Sequence, residues 1–551
     1  MKKIIYSLSA GFLLMFSSCQ DIMDEKHENP DGFTSTKIEY LFAQGAIKTV
    51  EADYADWYNY TFRTLATYTQ TAGRREGSNR TNVYRITSDL SRWNNYYVTR
   101  MSPLTEVDLI YGSLSEKEKS DYQPYVEAGK VLKAFNTAIA TDFFGNMPYS
   151  EAFTARSPLY SPTAVTNFKP KYDLQKDIYY AIIEDLKSAA AYFKTATLNS
   201  SEPQSVFPRQ DVIYAGNTQR WYKFANSLLV RYAMRISNVD EAKAKSVLSG
   251  ITLQDVIVDN ADNAYLKAGT SSTNVGASQG IWRAFVESHN KTNGYYAYAP
   301  ELMVNFLRTA NDPRMQVLFQ PASDDNGIVG TVSNGYVGDT IIAYPTSADV
   351  AITTVTTLGA DKIMKRYGVY NATTFRNNYY LPIGVAITAA EVHFLLAEAA
   401  SRGMFNGATA EALYNKGIVL SVQNYYDYYK NSTSTATRVP AVLARDITEA
   451  NLLSWINGSS FRYNSAKAIE QIATQKWIHL NILQPYENWA EFRRTDYPVL
   501  LEDREGGNLL NKENTPLRLL LPSDEASMNT DNYNSQSAYN NTNVRLWWDI
   551  K

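Results

Sequence analysis

Along most of the chain apolar residues recur three and four positions apart, the spacing that gathers them on one face of an α-helix. Ala128, Leu132, Phe135, Ile139 and Phe143 form one stripe, Ile178, Ile182, Leu186, Ala189 and Phe193 a second, and Phe224, Leu228, Tyr232 and Ile236 a third. Val392, Leu395, Leu396 and Ala399 repeat the pattern downstream, followed by Leu413, Gly417 and Leu420. The same spacing predicts one broken or two consecutive helices over 38–70, through Leu41, Ile47, Tyr54, Tyr58, Phe62, Leu65 and Tyr68. A further helix from Ser88 carries Trp93, Tyr96, Tyr97 and Met101. A striped helix must bury its stripe against a neighbour, so the pattern predicts a mainly α fold of packed helix pairs. No strict repeat period can be read from it.

The densest stretch is Gln475 to Leu500 (QKWIHLNILQPYENWAEFRRTDYPVL). A helix is predicted through Ile469, Ile472, Lys476, Trp477, Leu480 and Leu483, with Pro485 setting its end. A short second helix puts Trp489, Phe492 and Arg493 on one face, where the guanidinium can lie along the indole or reach Glu491 or Asp496. Asp496-Tyr497-Pro498 closes it as a turn, because the residue before proline is pushed out of the helical region. Upstream, Thr388 and Glu391 match a capping box at a helix start, and Gly403 fits the far end.

Between Gly250 and Leu381 glycine, serine, threonine and asparagine become frequent, and β-branched runs at Ile341 to Ala343 and Val350 to Thr354 predict small strands. This irregular lobe, about 250–381, is where recognition loops are expected on the helical scaffold. Thr71 to Arg85 reads as another loop, rich in basic and amide groups: Arg74, Arg75, Asn79, Arg80 and Asn82.

The first residues change the setting. Met1-Lys2-Lys3 is a basic start, Ile4 to Phe16 an apolar run, and Ser17-Ser18 precede Cys19, the single cysteine of 551 residues. The run is shorter than the roughly 17 to 25 residues of a spanning helix, so 1–18 is expected to be a cleaved signal and Cys19 a lipid acceptor. With Cys19 lipidated, no thiol is left for a disulfide, a thiolate metal site or a cysteine nucleophile. Residues 19–32 are polar and acidic and are expected to tether a single domain, 33–551. A net charge of −3 argues against a nucleic-acid partner, which would need a basic surface to release counterions. Tyrosines number 41 against 21 phenylalanines, and their apolar face with a hydroxyl tip suits wet, ligand-facing surfaces as well as helix packing.

Asp142 to Phe153 (DFFGNMPYSEAF), Gln475 to Leu500 and the ending Leu546-Trp547-Trp548-Asp549, in this order behind such a start, resemble the SusD/RagB-like outer-membrane lipoproteins, most closely their second SusD-like subgroup. The resemblance covers nearly the whole chain. It implies tetratricopeptide-like helix pairs as the scaffold and a non-catalytic role without cofactor. It also implies a surface lipoprotein that binds oligosaccharide and passes it to a SusC-like TonB-dependent outer-membrane transporter. Peptide, glycopeptide or another nutrient is the alternative ligand. The acidic residues after Cys19 also resemble a surface-export signal, although they equally suit a plain solvated linker.

Ligand residues vary within this family and are not carried over, so candidates rest on composition and loop placement. Sugar rings have apolar CH faces and a rim of hydroxyls, which flat aromatics and amide or guanidinium groups complement. Trp282, Tyr295 and Tyr296 flank the loop His289 to Gly294, and Trp93, Asn94 and Tyr96 stand near Arg75 and its loop. Each of these aromatics could instead be core. A surface hydrolase is the distant alternative. Its one motif is Gly276-Ala277-Ser278-Gln279-Gly280, which lacks the apolar strand a nucleophile elbow needs. His27, His289, His393 and His479 have no ligand-spaced partners, so no metal is expected. Glu487 and Glu491, four apart on one helix face, read as solvated charge rather than as an acid pair.

Overall fold

A computed structural model describes residues 36–50, 57, 64–75, 90–155, 167–267, 295–320, 368–376, 378–434, 438–501, 503–505, 508–510 and 516–550. The signal segment, Cys19, the tether, the Gly276–Gly280 motif and the strands expected at 341–343 and 350–354 lie outside the described residues.

Helix pairs dominate. Glu116–Phe144 begins at a capping box, in which Ser115 Oγ accepts from the Glu118 amide and the Glu118 carboxylate accepts from the Ser115 amide. Its buried face includes Ala128, Leu132, Phe135 and Phe143. It packs on Gln175–Thr195, which in turn packs on Thr218–Ile236, so the three upstream stripes form one layer. Downstream, Ala389–Ser401 packs against both Ala410–Lys430 and Ala468–Leu480. The helix Thr218–Ile236 also touches Ala389–Ser401, which joins the two sets over a shared core. Gly417 permits a close approach of Ala410–Lys430 to Ala389–Ser401: a Cβ there would stand 2.6 Å from the Phe394 ring. The mainly α scaffold of packed helix pairs is what the stripes predicted, and its tetratricopeptide-like character is what the resemblance implied.

Three local expectations need correction. The helix expected to run to Pro485 ends at Leu480, followed by Asn481 at φ 27°, and Pro485 instead opens the next helix, Pro485–Thr495. Proline suits a helix start, where its missing N–H would have no partner anyway. At Thr388 only half of the capping box forms. Its hydroxyl accepts from the Glu391 amide at 3.3 Å, but the Glu391 carboxylate is taken by the Arg231 guanidinium. The helix expected from Ser88 is described from Leu90 and widens into a π-helical segment, Asn95–Met101, before continuing as Ser102–Ser113.

The described part of 250–381 holds short helices and strands. A four-stranded antiparallel sheet runs in the order Gly73–Arg75, Tyr295–Tyr298, Val369–Tyr370, Phe319–Gln320. Ala264–Lys267 pairs with Pro382–Ile387. Strands from the flanking helical regions thus help to build this lobe.

Candidate functional site

The three sequence stretches that carry the resemblance meet in one buried knot. Trp489 is fully buried, and the Arg493 guanidinium lies over its ring, 3.6 Å from the centroid. Arg493 Nη1 donates to the carbonyls of Asp142 (2.8 Å) and Leu517 (2.7 Å). Asp142 Oδ1 accepts from the Trp548 indole at 2.7 Å and from the Tyr179 hydroxyl at 2.6 Å. Burial pushes the Asp142 carboxyl up, opposed by Arg235 and Arg493. Asp496 takes the left-handed conformation that ends the helix, at φ 64°.

Around the knot runs an alternating chain of buried charges. Arg231 grips Glu391 with two bonds of 2.7 Å, and Arg235 reaches Glu487 at 2.6 Å. Lys476 lies 3.1 Å from Glu491, and Arg494 is held by Glu491 at 2.7 Å and Glu398 at 2.6 Å. Burial by itself raises the Glu491 carboxyl, but Arg494, Lys476 and Arg235 together hold it well below the usual range. This corrects the reading of Glu487 and Glu491 as solvated charge. Their helix face is turned into the scaffold, where Lys476 of the preceding helix and Arg235, far off in sequence, meet them, with Arg494 one turn on from Glu491. The crevice lined by Asp142, Arg231, Glu487 and Trp489 has a volume of about 60 Å³, far below the roughly 300 Å³ at which ligand pockets begin. The knot is scaffold.

Trp93 and Tyr96, expected as exposed ligand aromatics, are 6% and 5% exposed. Trp93 packs edge-on against Phe144 (5.1 Å) and near Tyr97 (4.9 Å), and the Tyr96 hydroxyl lies 3.0 Å from Thr137 Oγ1. Their helix turns this face to the Asp142 side of the scaffold, so both belong to the core. Asn94 is exposed beside them. Trp282, His289, Asn290 and Asn293 lie outside the described residues. The structure pairs one residue from each candidate group at the backbone: Arg75 and Tyr295 are cross-strand partners, and Gly73 pairs with Tyr298. Tyr296 follows on the same strand. The sequence reading passed over Phe168 and Tyr380, aromatics that are 79% and 43% exposed. Phe168 sits between Asn167 and Lys169-Pro170, turn chemistry that could have flagged it.

His393 and His479 lie on helices, both buried. Among the described residues no three His, Cys, Asp or Glu side chains are grouped to hold a metal ion, and no helix is long and apolar enough to cross a membrane.

A SusD-like family described as "Starch-binding associating with outer membrane" matches residues 30–522. The chain belongs to this SusD-like family. Solved structures share the SusD-like fold. A chitin-binding protein is 21% identical with a TM-score of 0.69, and the match covers 92% of this chain and 100% of that one. A SusD-like protein from Bacteroidetes is 22% identical at a TM-score of 0.69, covering 94% and 100%. A SusD homologue from Bacteroides uniformis is 22% identical at 0.65, covering 93% and 99%. No curated protein matches the chain. SusD-like proteins are non-catalytic binding proteins, which sets the hydrolase reading aside.

Proposed function

We propose that this SusD-like protein is a lipid-anchored receptor on the outer face of the outer membrane that binds an oligosaccharide and delivers it to a SusC-like TonB-dependent transporter. The observation that carries this reading is the family match across 30–522, a family described as starch-binding and associating with the outer membrane. The lipoprotein-type start ending in Cys19 supplies the anchor. Pairing of Arg75 with Tyr295 supports a ligand surface at the sheet edge, because it joins a basic, amide-rich loop to a tyrosine-rich one. Among proteins of this fold, one is itself described as chitin-binding, which puts chitin fragments beside starch fragments on the ligand panel.

The test is calorimetric titration of the purified protein with maltooligosaccharides, chitooligosaccharides and a peptide mixture, together with chromatography of the recovered ligand. Saturable binding of an oligosaccharide that is recovered intact is the expected result. Binding of peptides alone would replace the ligand class, and shortened oligosaccharides would replace the receptor with a hydrolase.

A further inference from the structure

A groove of about 430 Å³ is lined by residues of the helices Glu301–Thr309 and Ala468–Leu480 and of the turn at Ser460-Phe461, and shares no lining residue with the crevice at the knot. Its volume falls within the range of small-molecule sites, about 300 to 1,000 Å³. Gln475, with no exposed surface, lines it. Gln475 Oε1 accepts from Arg314 Nη2 at 2.7 Å, and that guanidinium is fixed in turn by Asp312. Because a guanidinium only donates, the amide oxygen must face it, and the amide nitrogen is directed elsewhere. Gln475 Nε2 has no partner. Buried donors are nearly always paired in native proteins, so this one calls for an acceptor from outside the chain.

The rest of the lining defines that acceptor. Phe306, half-buried, and Leu302 offer an apolar wall. Lys467 and Glu470, 3.8 Å apart, bring one charge of each sign, which favours a neutral guest over an ion. The Thr474 hydroxyl donates to the Glu470 carbonyl, leaving its lone pairs to accept, while Asn305 and Ser460 on the rim can do both. A purely apolar guest would leave Nε2 unpaired, and an anion would face Glu470. A ring with one apolar CH face and hydroxyls that both donate and accept satisfies every group.

We propose that this groove is a saccharide subsite, separate from the Arg75–Tyr295 edge, that takes one pyranose ring with its apolar face on Phe306 and a hydroxyl oxygen on Gln475 Nε2. The proposal rests on the glycan-binding reading and extends it to a second point of contact. It is tested by soaking crystals of the protein with glucose and N-acetylglucosamine, and by titrating the wild type and Ser460→Trp with these sugars and their tetrasaccharides. Ser460 is exposed, and an indole there fills the groove without touching the core.

Sugar density against Phe306 and Gln475 is expected. Ser460→Trp should weaken monosaccharide binding about tenfold or more, the loss of one stacking and one hydrogen-bonding contact, while tetrasaccharides still bind elsewhere. Sugars that bind only outside the groove, equally in both proteins, overturn the subsite and leave the receptor reading intact. No binding of any sugar overturns both. The soaked wild-type crystals decide the matter even if Ser460→Trp misfolds.

Discussion

Arg493 is stacked on Trp489 at 3.6 Å and at the same time donates to the Asp142 and Leu517 carbonyls, so one side chain ties the helix Pro485–Thr495 to the end of Glu116–Phe144 and to the C-terminal segment. The planar guanidinium can do both, since its face meets the indole while its edge donates in the plane. An ammonium cannot.

Trp489→Ala should therefore destabilise the scaffold by about 3 to 5 kcal/mol, the usual cost of emptying a buried tryptophan site. Arg493→Lys should also lower the melting temperature, because it removes the stack and leaves at least one of the two carbonyls unpaired. Thermal denaturation measures both. Oligosaccharide affinity at temperatures below melting should be unchanged, and a ligand-binding defect with normal melting would move Trp489 from scaffold to site.

Glu491 is the anion shared by Arg494, Lys476 and Arg235, at 2.7, 3.1 and 3.4 Å. Removing one partner from a buried ion pair costs about 3 to 5 kcal/mol, because the charge left behind is neither solvated nor paired. Glu491→Gln should approach that cost while keeping the shape. Since its carboxyl is held well below the usual 4.5, its contribution is present above that pH and fades as the pH falls towards the lower folded value. The penalty of Glu491→Gln in urea denaturation should accordingly shrink in acid. A penalty that stays constant down to strongly acidic pH would show that Glu491 is not charged in the native state.

His479 behaves as a neutral spacer. Burial, then Arg314 and Lys476, push its imidazole down to about 3 from 6.5, with Nε2 2.7 Å from Thr388 Oγ1 and Nδ1 3.0 Å from Ser421 Oγ. The unfolded chain takes up the proton first as pH falls, so the stability from a neutral His479 is complete above about 6.5 and declines by about 1.4 kcal/mol per pH unit below it, levelling off near 3. By pH 5 the loss is roughly 2 kcal/mol. His479→Gln should flatten the stability profile between pH 6.5 and 3 relative to wild type. Parallel profiles would assign the acid sensitivity to other groups.

How far these features were legible in the sequence follows from what each depends on. The helix stripes were, because burial on one side of a helix writes a period of three and four into the chain whatever its neighbours are. The Trp489–Arg493 contact was too, since residues four apart on a helix meet locally. The pairing of Glu487 and Glu491 was not: an i,i+4 carboxylate pair looks the same whether it faces water or Arg235 and Lys476, and only the tertiary fold chooses. The same holds for Trp93 and Tyr96, whose aromatic and amide surroundings suit a sugar and suit a core equally. Gln475 carried no local signal at all, because its significance lies in Arg314 claiming one end of the amide.

The ligand surface can now be tested group by group. On the proposed reading, replacing Trp282, Tyr295 and Tyr296 together by alanine should abolish oligosaccharide binding at that surface, leaving only what the groove at Phe306 holds, while shifting stability little, about ±0.5 kcal/mol for each exposed change. Arg75→Ala should weaken binding through the cross-strand neighbour of Tyr295. Trp93→Ala and Tyr96→Ala should do the opposite, lowering the melting temperature and sparing affinity. A triple variant that melts early would place these aromatics in the core as well.

Delivery to a transporter requires that the receptor stay at the membrane. On the proposed reading Cys19 carries the lipid, and because a single acyl chain holds only marginally while several hold far better, Cys19→Ala should release the protein or stall its processing. A tethered receptor keeps captured ligand at high local concentration over a pore, whereas a soluble one loses it to diffusion. Affinity purification from native membranes should thus recover a TonB-dependent barrel in near-equal amount with the wild type, and the Cys19→Ala variant should reduce uptake of the ligand without changing its affinity in solution. Recovery of this chain alone, in detergent that preserves other such complexes, would argue for a receptor that works without a transporter. Full membrane retention of the Cys19→Ala variant in cells lacking the transporter would remove the lipid anchor from the mechanism.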